Sequence, residues 1–169
     1  PREDACWLVR DRLGVKPLYY HFEAGQLRFA SSMKALFAFS DIERKIDIGT
    51  VSHYLRTIRT SLGSRTLVDG VRLIEPGTDL YWSWRHRREP EVSTYWKLPS
   101  CQASLTPTDI SFEEASEETR RLLDAAVQRQ MLSDVPVGGF LSGGIDSSIL
   151  SHLASQKAGS RLGTFSVGY

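Results

Sequence analysis

The chain carries no excess of charge: 21 Lys and Arg stand against 20 Asp and Glu, a net charge of +1. That balance gives no electrostatic reason to expect nucleic acid or an acidic membrane surface as a partner. Cysteine is scarce. Cys6 and Cys101 lie far apart, form no Cys-x-x-Cys pair and have no histidine at metal-ligand spacing, so neither a disulfide framework nor a zinc site is signalled and a reducing compartment is the default. No apolar run approaches the roughly 20 residues that cross a bilayer, and Pro1-Arg2-Glu3-Asp4 lacks the charged-then-apolar design of a signal peptide. The expectation is a cytoplasmic protein without membrane or nucleic-acid partners. There is no internal repeat, and His21, His53, His86 and His152 do not cluster. The opening on Pro1, directly before a strand-like run, and the close on the strand-like Thr164-Phe165-Ser166-Val167-Gly168-Tyr169 point to a fragment.

What is present is an ordinary globular composition, 41% hydrophobic and 24% charged over 169 residues, enough for one domain or parts of two. Strand-like segments at Cys6–Arg10, Leu18–Phe22 and Leu27–Ala30 are punctuated by Gly14, Pro17 and Gly25. Ser31 or Ser32 can cap a short helix through Phe37, and Thr50–Arg59 reads as a second helix with Val51, Tyr54, Leu55 and Ile58 on one face. Val71–Ile74, the turn Glu75-Pro76-Gly77 and Asp79–Trp84 continue the β pattern. The basic run Arg85-His86-Arg87-Arg88 reads as a solvated hairpin tip, because no wider basic field surrounds it. Residues 100–110, rich in Ser, Thr and Pro, suggest a linker.

The pattern then changes. Ser111-Phe112-Glu113-Glu114 fits a capping box, and apolar residues recur at helical spacing to Met131. Pro136–Leu141 reads as a strand, Ser148–Gln156 as a helix and Leu162–Val167 as a strand, which together make a βαβ unit with parallel strands. At its first junction stands Ser142-Gly143-Gly144-Ile145-Asp146-Ser147-Ser148. Paired glycines permit a tight turn and close approach of a ligand, and the amides of a helix N-terminus favour phosphate. The loop is not a Walker A loop, since Ile145 stands where a lysine is required. A Ser- and Gly-rich turn in which Asp146 only caps the helix is the plainer alternative.

The loop resembles the PP-loop of ATP pyrophosphatases, Ser-Gly-Gly-x-Asp-Ser, at all six positions. Around it, Leu132-Ser133-Asp134-Val135-Pro136-Val137-Gly138 and Thr164-Phe165-Ser166-Val167-Gly168 resemble the flanking segments of glutamine-dependent asparagine synthetases. Arg10-Asp11-Arg12-Leu13-Gly14-Val15-Lys16-Pro17-Leu18-Tyr19-Tyr20 is similar to the late glutaminase-domain signature of the same family. The resemblance implies an α/β and α+β organisation in two partial domains. Residues 1–99 would be the C-terminal part of an Ntn-hydrolase-type glutaminase domain, 100–110 the linker, and 111–169 the start of a parallel αβα, adenine nucleotide α-hydrolase-like PP-loop domain.

It also implies an ATP-dependent ligase of asparagine biosynthesis, amidating aspartate through a β-aspartyl-AMP with ammonia from glutamine. ATP and Mg2+ would be the cofactors, with Ser142, Gly143, Gly144, Asp146 and Ser147 at the pyrophosphate. By the same resemblance Phe140 and Val167 neighbour adenosine, core packing being the alternative for both. No metal ligand is assigned directly, a homodimer is allowed, and the residues given carry no glutaminase nucleophile. Cys6 falls in a late strand as a small buried hydrophobe, and Asp11 and Lys16 look structural. A β-lactam-forming relative with another acceptor, or a non-catalytic nucleotide-binding module, is the alternative. Three departures stand out: Ser32 occupies the place of a usual glutamate, Gly139 that of an apolar strand residue, and Arg56–Val68 differs from the usual wording.

Overall fold

Ala5-Cys6-Trp7-Leu8-Val9 is made of residues that suit a pleated, half-buried surface, and it forms strand β1 (Ala5–Val9). The computed structural model describes residues 4–99, 109–159 and 161–168, and the chain divides into two units, Pro1–Ser104 and Leu105–Tyr169. The expected linker at 100–110 lies, through residue 108, outside the described residues, as does Cys101.

In the first unit the chain continues through β2 (Tyr19–Glu23), β3 (Gln26–Ala30), α1 (Met33–Leu36), α2 (Ile48–Thr57), β4 (Ser61–Leu62), β5 (Arg65–Thr66), β6 (Val71–Leu73), β7 (Thr78–Ser83) and β8 (Glu91–Thr94). The strands form a three-stranded sheet, β1-β7-β8, and a five-stranded sheet, β3-β2-β6-β5-β4. Leu8 and Leu80 from the first sheet bury with Ile74 against Tyr20 and Leu27, while Leu36, Ile42 and Val71 bury with Tyr19 and Ala30. Neighbours Tyr19 and Tyr20 belong to different clusters because alternate residues of a strand point to opposite faces. The five-stranded sheet is therefore packed on both sides, against the other sheet and against α1.

Three strand assignments are additions to the sequence reading. β4 and β5 have two residues each and are joined at Gly63, whose φ is +58. β8 is exposed along its whole length and exists through pairing with β7, so no apolar alternation announces it. Helix α2 starts at Ile48 rather than Thr50, because the Asp47 side chain accepts the Thr50 N–H at 2.7 Å as an N-cap. Cys6 is half-buried rather than buried, on an edge strand, and burial raises its thiol pKa. Ser32 caps α1 by accepting the Ala35 N–H.

Arg10 is buried and its guanidinium donates to the carbonyls of Gly14, Lys16 and Ile74. Asp11 accepts the backbone N–H of Leu13, Val15 and Lys16, and these bonds, led by that of Val15, hold its pKa below the ordinary value. Asp11 and Lys16 are thus joined through backbone, which fits a structural turn. Asp47, besides capping α2, accepts a forked pair from Arg65.

In the second unit α3 (Phe112–Gln130), β9 (Gly138–Phe140), α4 (Ile145–Lys157) and β10 (Gly163–Phe165) follow. The capping box at Ser111 and Glu114 is complete in both directions. β9 and β10 pair in parallel, as the βαβ pattern predicts, with Phe140 opposite Phe165. Each strand is shorter than expected, three residues instead of six. No helix among the described residues is long and apolar enough to cross a membrane. The molecule is mixed α and β.

Replacing Arg10 by Met should destabilise the first unit by about 3 kcal/mol, since the apolar volume is kept while buried carbonyls lose a charged donor; chemical denaturation at neutral pH measures it. Arg65, and then the Thr50 amide, depress the Asp47 pKa in the fold. The stability Asp47 contributes is therefore present above its unfolded pKa, about 3.9, and is lost as pH falls through the lower folded value. Urea melts from pH 7 to pH 2.5 should show Asp47→Asn less stable at pH 7 and losing less stability than the parent on acidification.

Candidate functional site

The glycine-serine loop begins where β9 ends. Leu141 still donates its N–H to the Phe165 carbonyl at 2.8 Å, after which Ser142 leaves the sheet. Gly143 turns the chain with φ +81, a backbone state that side chains with a Cβ rarely adopt. Gly144 returns to an extended conformation, φ −80 and ψ 161, and is the N-cap of α4 with no side-chain cap bond.

Helix α4 begins at Ile145, three residues before the expected Ser148. Asp146 and Ser147 consequently sit in the first helical turn, a position that suits Asp and Ser because their short polar side chains face the open amides. The N–H groups of Ile145, Asp146 and Ser147 have no partner inside the helix, since the first bond that closes the turn runs from Ser148 to the Gly144 carbonyl at 3.1 Å. The helix carries Gly144, not Asp146, at its cap, so the plainer reading of Asp146 as a cap is not what the chain adopts.

The hydroxyls are engaged with one another and with one carbonyl. Ser147 Oγ and Ser148 Oγ donate to the Gly144 carbonyl at 3.0 and 2.8 Å, and Ser142 Oγ lies 3.1 Å from Ser147 Oγ. Because Ser147 has a single proton and spends it on Gly144, Ser142 is the donor in the Ser142–Ser147 pair. Asp146, the residue before Ser147, is exposed. All five predicted loop residues are thus on one strand-turn-helix junction, with three open amides, a hydroxyl pair and one carboxylate.

The predicted adenosine neighbours are both exposed. The Phe140 ring is 79% exposed and 6.3 Å from the ring of Phe165, its register partner, and Val167 is 72% exposed beyond β10. Neither is in a core within this unit. Gly139, which by pattern weakens its strand, lies beside α4, and a Cβ there would meet Ser151 Oγ at an ordinary 3.4 Å, so the packing of helix on strand does not by itself require glycine. Sequence reasoning missed an apolar groove of about 460 Å3 next to the loop, lined by Val127, Met131, Gly139, Ser147, Leu150 and Leu162. Its signal was the spacing of Val127 with Met131 and of Leu150 with Ala154.

Among the described residues no group of three or more His, Cys, Asp or Glu could hold a metal ion by itself. A single exposed carboxylate, Asp146, on the turn with the open amides nevertheless fits magnesium carried in by a polyphosphate, which needs only one or two protein carboxylates.

Two family models match the chain: one described as glutamine amidotransferase domain over residues 1–96 and one described as asparagine synthase over residues 118–169. The chain is similar to asparagine synthetase [glutamine-hydrolyzing] 3 of Bacillus subtilis, 33% identical over 172 residues that cover 99% of this chain and 27% of that protein. It is also similar to a putative asparagine synthetase [glutamine-hydrolyzing] 2 of Methanocaldococcus jannaschii, 33% identical over 95% of this chain and 30% of that protein. An amidase of Penicillium rubens is 34% identical over 92% of this chain and 22% of its own length. The chain thus spans about a quarter of the length of these curated relatives.

The two loop glycines should differ under substitution. A Cβ on Gly143 meets nothing within 4 Å but forces φ +81 on an L residue, so Gly143→Ala should cost about 1 kcal/mol from conformation alone. Gly144 has φ −80, and its added Cβ would sit at an ordinary 3.6 Å from Ser142 Oγ, so Gly144→Ala should stay within about 0.5 kcal/mol. Urea denaturation of the two variants compares them directly.

Proposed function

Because the chain belongs to the family of glutamine-hydrolysing asparagine synthetases, we propose that its second unit binds ATP through Ser142–Ser148 and receives the pyrophosphate that leaves when a carboxylate is adenylated. The observation that carries this reading is the placement of a complete Ser-Gly-Gly-x-Asp-Ser match where a strand turns into a helix, with the amides of Ile145, Asp146 and Ser147 open.

In the proposed reaction a carboxylate oxygen of aspartate attacks the α-phosphorus of ATP, forming an acyl phosphate ester as the bond to the β-phosphate oxygen breaks. Negative charge grows on the departing pyrophosphate, and donors already aimed at that position stabilise it without reorganising. Open amides of the first turn of α4 are such donors, and the Ser142 and Ser147 hydroxyls join them by rotating out of their mutual bond. Magnesium, when bound with ATP, neutralises part of the phosphate charge, and Asp146 is the residue that would hold it on the protein side. Ammonia released from glutamine then attacks the acyl carbon, and AMP departs with its oxygen.

The first unit is read as part of an Ntn-type glutaminase domain. Support comes from its match to the amidotransferase family and from a sheet pair in which the five-stranded member also packs against α1. Phe140 and Val167 are proposed near adenosine, with ATP, glutamine and aspartate as substrates in the cytoplasm. A different acceptor carboxylate is a second reading, favoured by the likeness to the Penicillium amidase.

In the longer enzyme, Ser147→Ala should lower ATP-dependent pyrophosphate release with ammonia supplied directly by about 100-fold, for the loss of one donor, and Asp146→Ala should lower it through loss of the carboxylate that would hold magnesium. Glutamine hydrolysis should be unchanged, since its chemistry is assigned to the other domain. Unaltered pyrophosphate release in both variants would remove the loop from the mechanism.

A further inference from the structure

The Gly144 carbonyl at the start of α4 is offered more donors than it has places for. Three reach it: the Ser148 N–H at 3.1 Å, the Ser147 hydroxyl at 3.0 Å and the Ser148 hydroxyl at 2.8 Å. A carbonyl oxygen has two lone pairs, so three donors share two places. One serine hydroxyl bonded back to a carbonyl three or four residues earlier is ordinary on a helix. Two such hydroxyls on a carbonyl that also closes the first helical turn are a surplus. That surplus lies in the turn that carries the open amides of Ile145, Asp146 and Ser147.

The two serines are not equivalent. Ser148 gives both of its donors to Gly144, its hydroxyl at the shortest of the three distances. Ser147 keeps its amide open, and its Oγ also lies 3.1 Å from Ser142 Oγ. When the Ser147 proton leaves the Gly144 carbonyl, that oxygen still has two donors for two lone pairs, and nothing is orphaned. Without the Ser148 hydroxyl, the Ser147 proton would be one of two donors instead of one of three, and its departure would leave a lone pair open. We infer that Ser148 is a positioning residue of the phosphate turn: by holding the Gly144 carbonyl with its own hydroxyl and amide, it frees the Ser147 proton to pass to the departing pyrophosphate. Ser148 itself touches no phosphate. The inference rests on the proposed nucleotide chemistry and deepens it, separating the hydroxyl that donates from the hydroxyl that releases it. Ser148 is exposed, so water fills part of any vacated place, and the expected effect is correspondingly small.

Pyrophosphate release by the longer enzyme, with ATP, aspartate and ammonia supplied, tests it through a double-mutant cycle. Ser148→Ala should lower kcat/KM for ATP by about threefold, within what one net hydrogen bond supports. Ser148→Thr should restore it, because a threonine hydroxyl on a helix bonds to the same carbonyl. In a Ser147→Ala background Ser148→Ala should change nothing further, since the proton that it releases is gone. Alanine is the stronger helix former, so the melting temperature of Ser148→Ala should not fall. Equal factors for Ser148→Ala with and without Ser147 would show a hydroxyl that contacts phosphate itself and would overturn the inference. Full activity of Ser148→Ala, no restoration by Ser148→Thr, or a lowered melting temperature of Ser148→Ala would each overturn it too. Unaltered release in Ser147→Ala is a different failure: it removes the nucleotide reading of the loop, and the inference with it.

Discussion

The buried Arg10 guanidinium is the point at which the first unit is closed. Its three carbonyl partners belong to the turn after β1, at Gly14 and Lys16, and to Ile74 at the end of β6. Strand β1 belongs to one sheet and β6 to the other, so one planar cation ties the two sheets at the place where the chain passes between them. Gly14 must be a glycine there, because a Cβ would lie 2.7 Å from the Pro76 ring and 2.9 Å from an Arg10 nitrogen. Asp11 completes the turn by accepting three backbone amides, an arrangement that needs an ionised carboxylate and explains its lowered pKa. The long Arg-Asp signature is thus a closure device rather than an acid–base pair, and the two core clusters sit above and below the sheet that it fixes.

The second unit is organised by the absence of side chains instead. Gly138 lies under the Phe165 ring, where a Cβ would come within 2.9 Å. Gly143 supplies the left-handed turn and Gly144 the bare cap. Gly138 thus lets β9 and β10 approach, and Gly143 turns the chain so that α4 starts directly after the strand. A larger residue at Gly138 or Gly143 would be resisted by different physics, a steric clash in the first case and a backbone state in the second. Lys157 on α4 joins Asp124 on α3 at 2.9 Å, but this pair is partly exposed and contributes little beside the packing.

The sequence alone determined what depends on short-range rules. The Ser111–Glu114 capping box, the hairpin strands around Gly25, the parallel βαβ unit and the loop at Ser142–Ser148 all follow from residues within a few positions of one another, where spacing and backbone preference decide. Tertiary structure decided what depends on partners distant in the chain. β8 has no apolar alternation and exists through β7, and Arg10 reveals its role only when Ile74, 64 residues away, is brought to it. Helix α2 was visible as an apolar stripe, but that Thr50, and not a residue of the stripe, would be its one buried residue was not. The pattern assigns an amphipathic helix a core-facing apolar side by default, and here Ile48 and Leu55 are exposed while Thr50 is buried and Asp47 at the cap is engaged by Arg65. Orientation is a property of the contact between elements, and no periodicity within one element carries it.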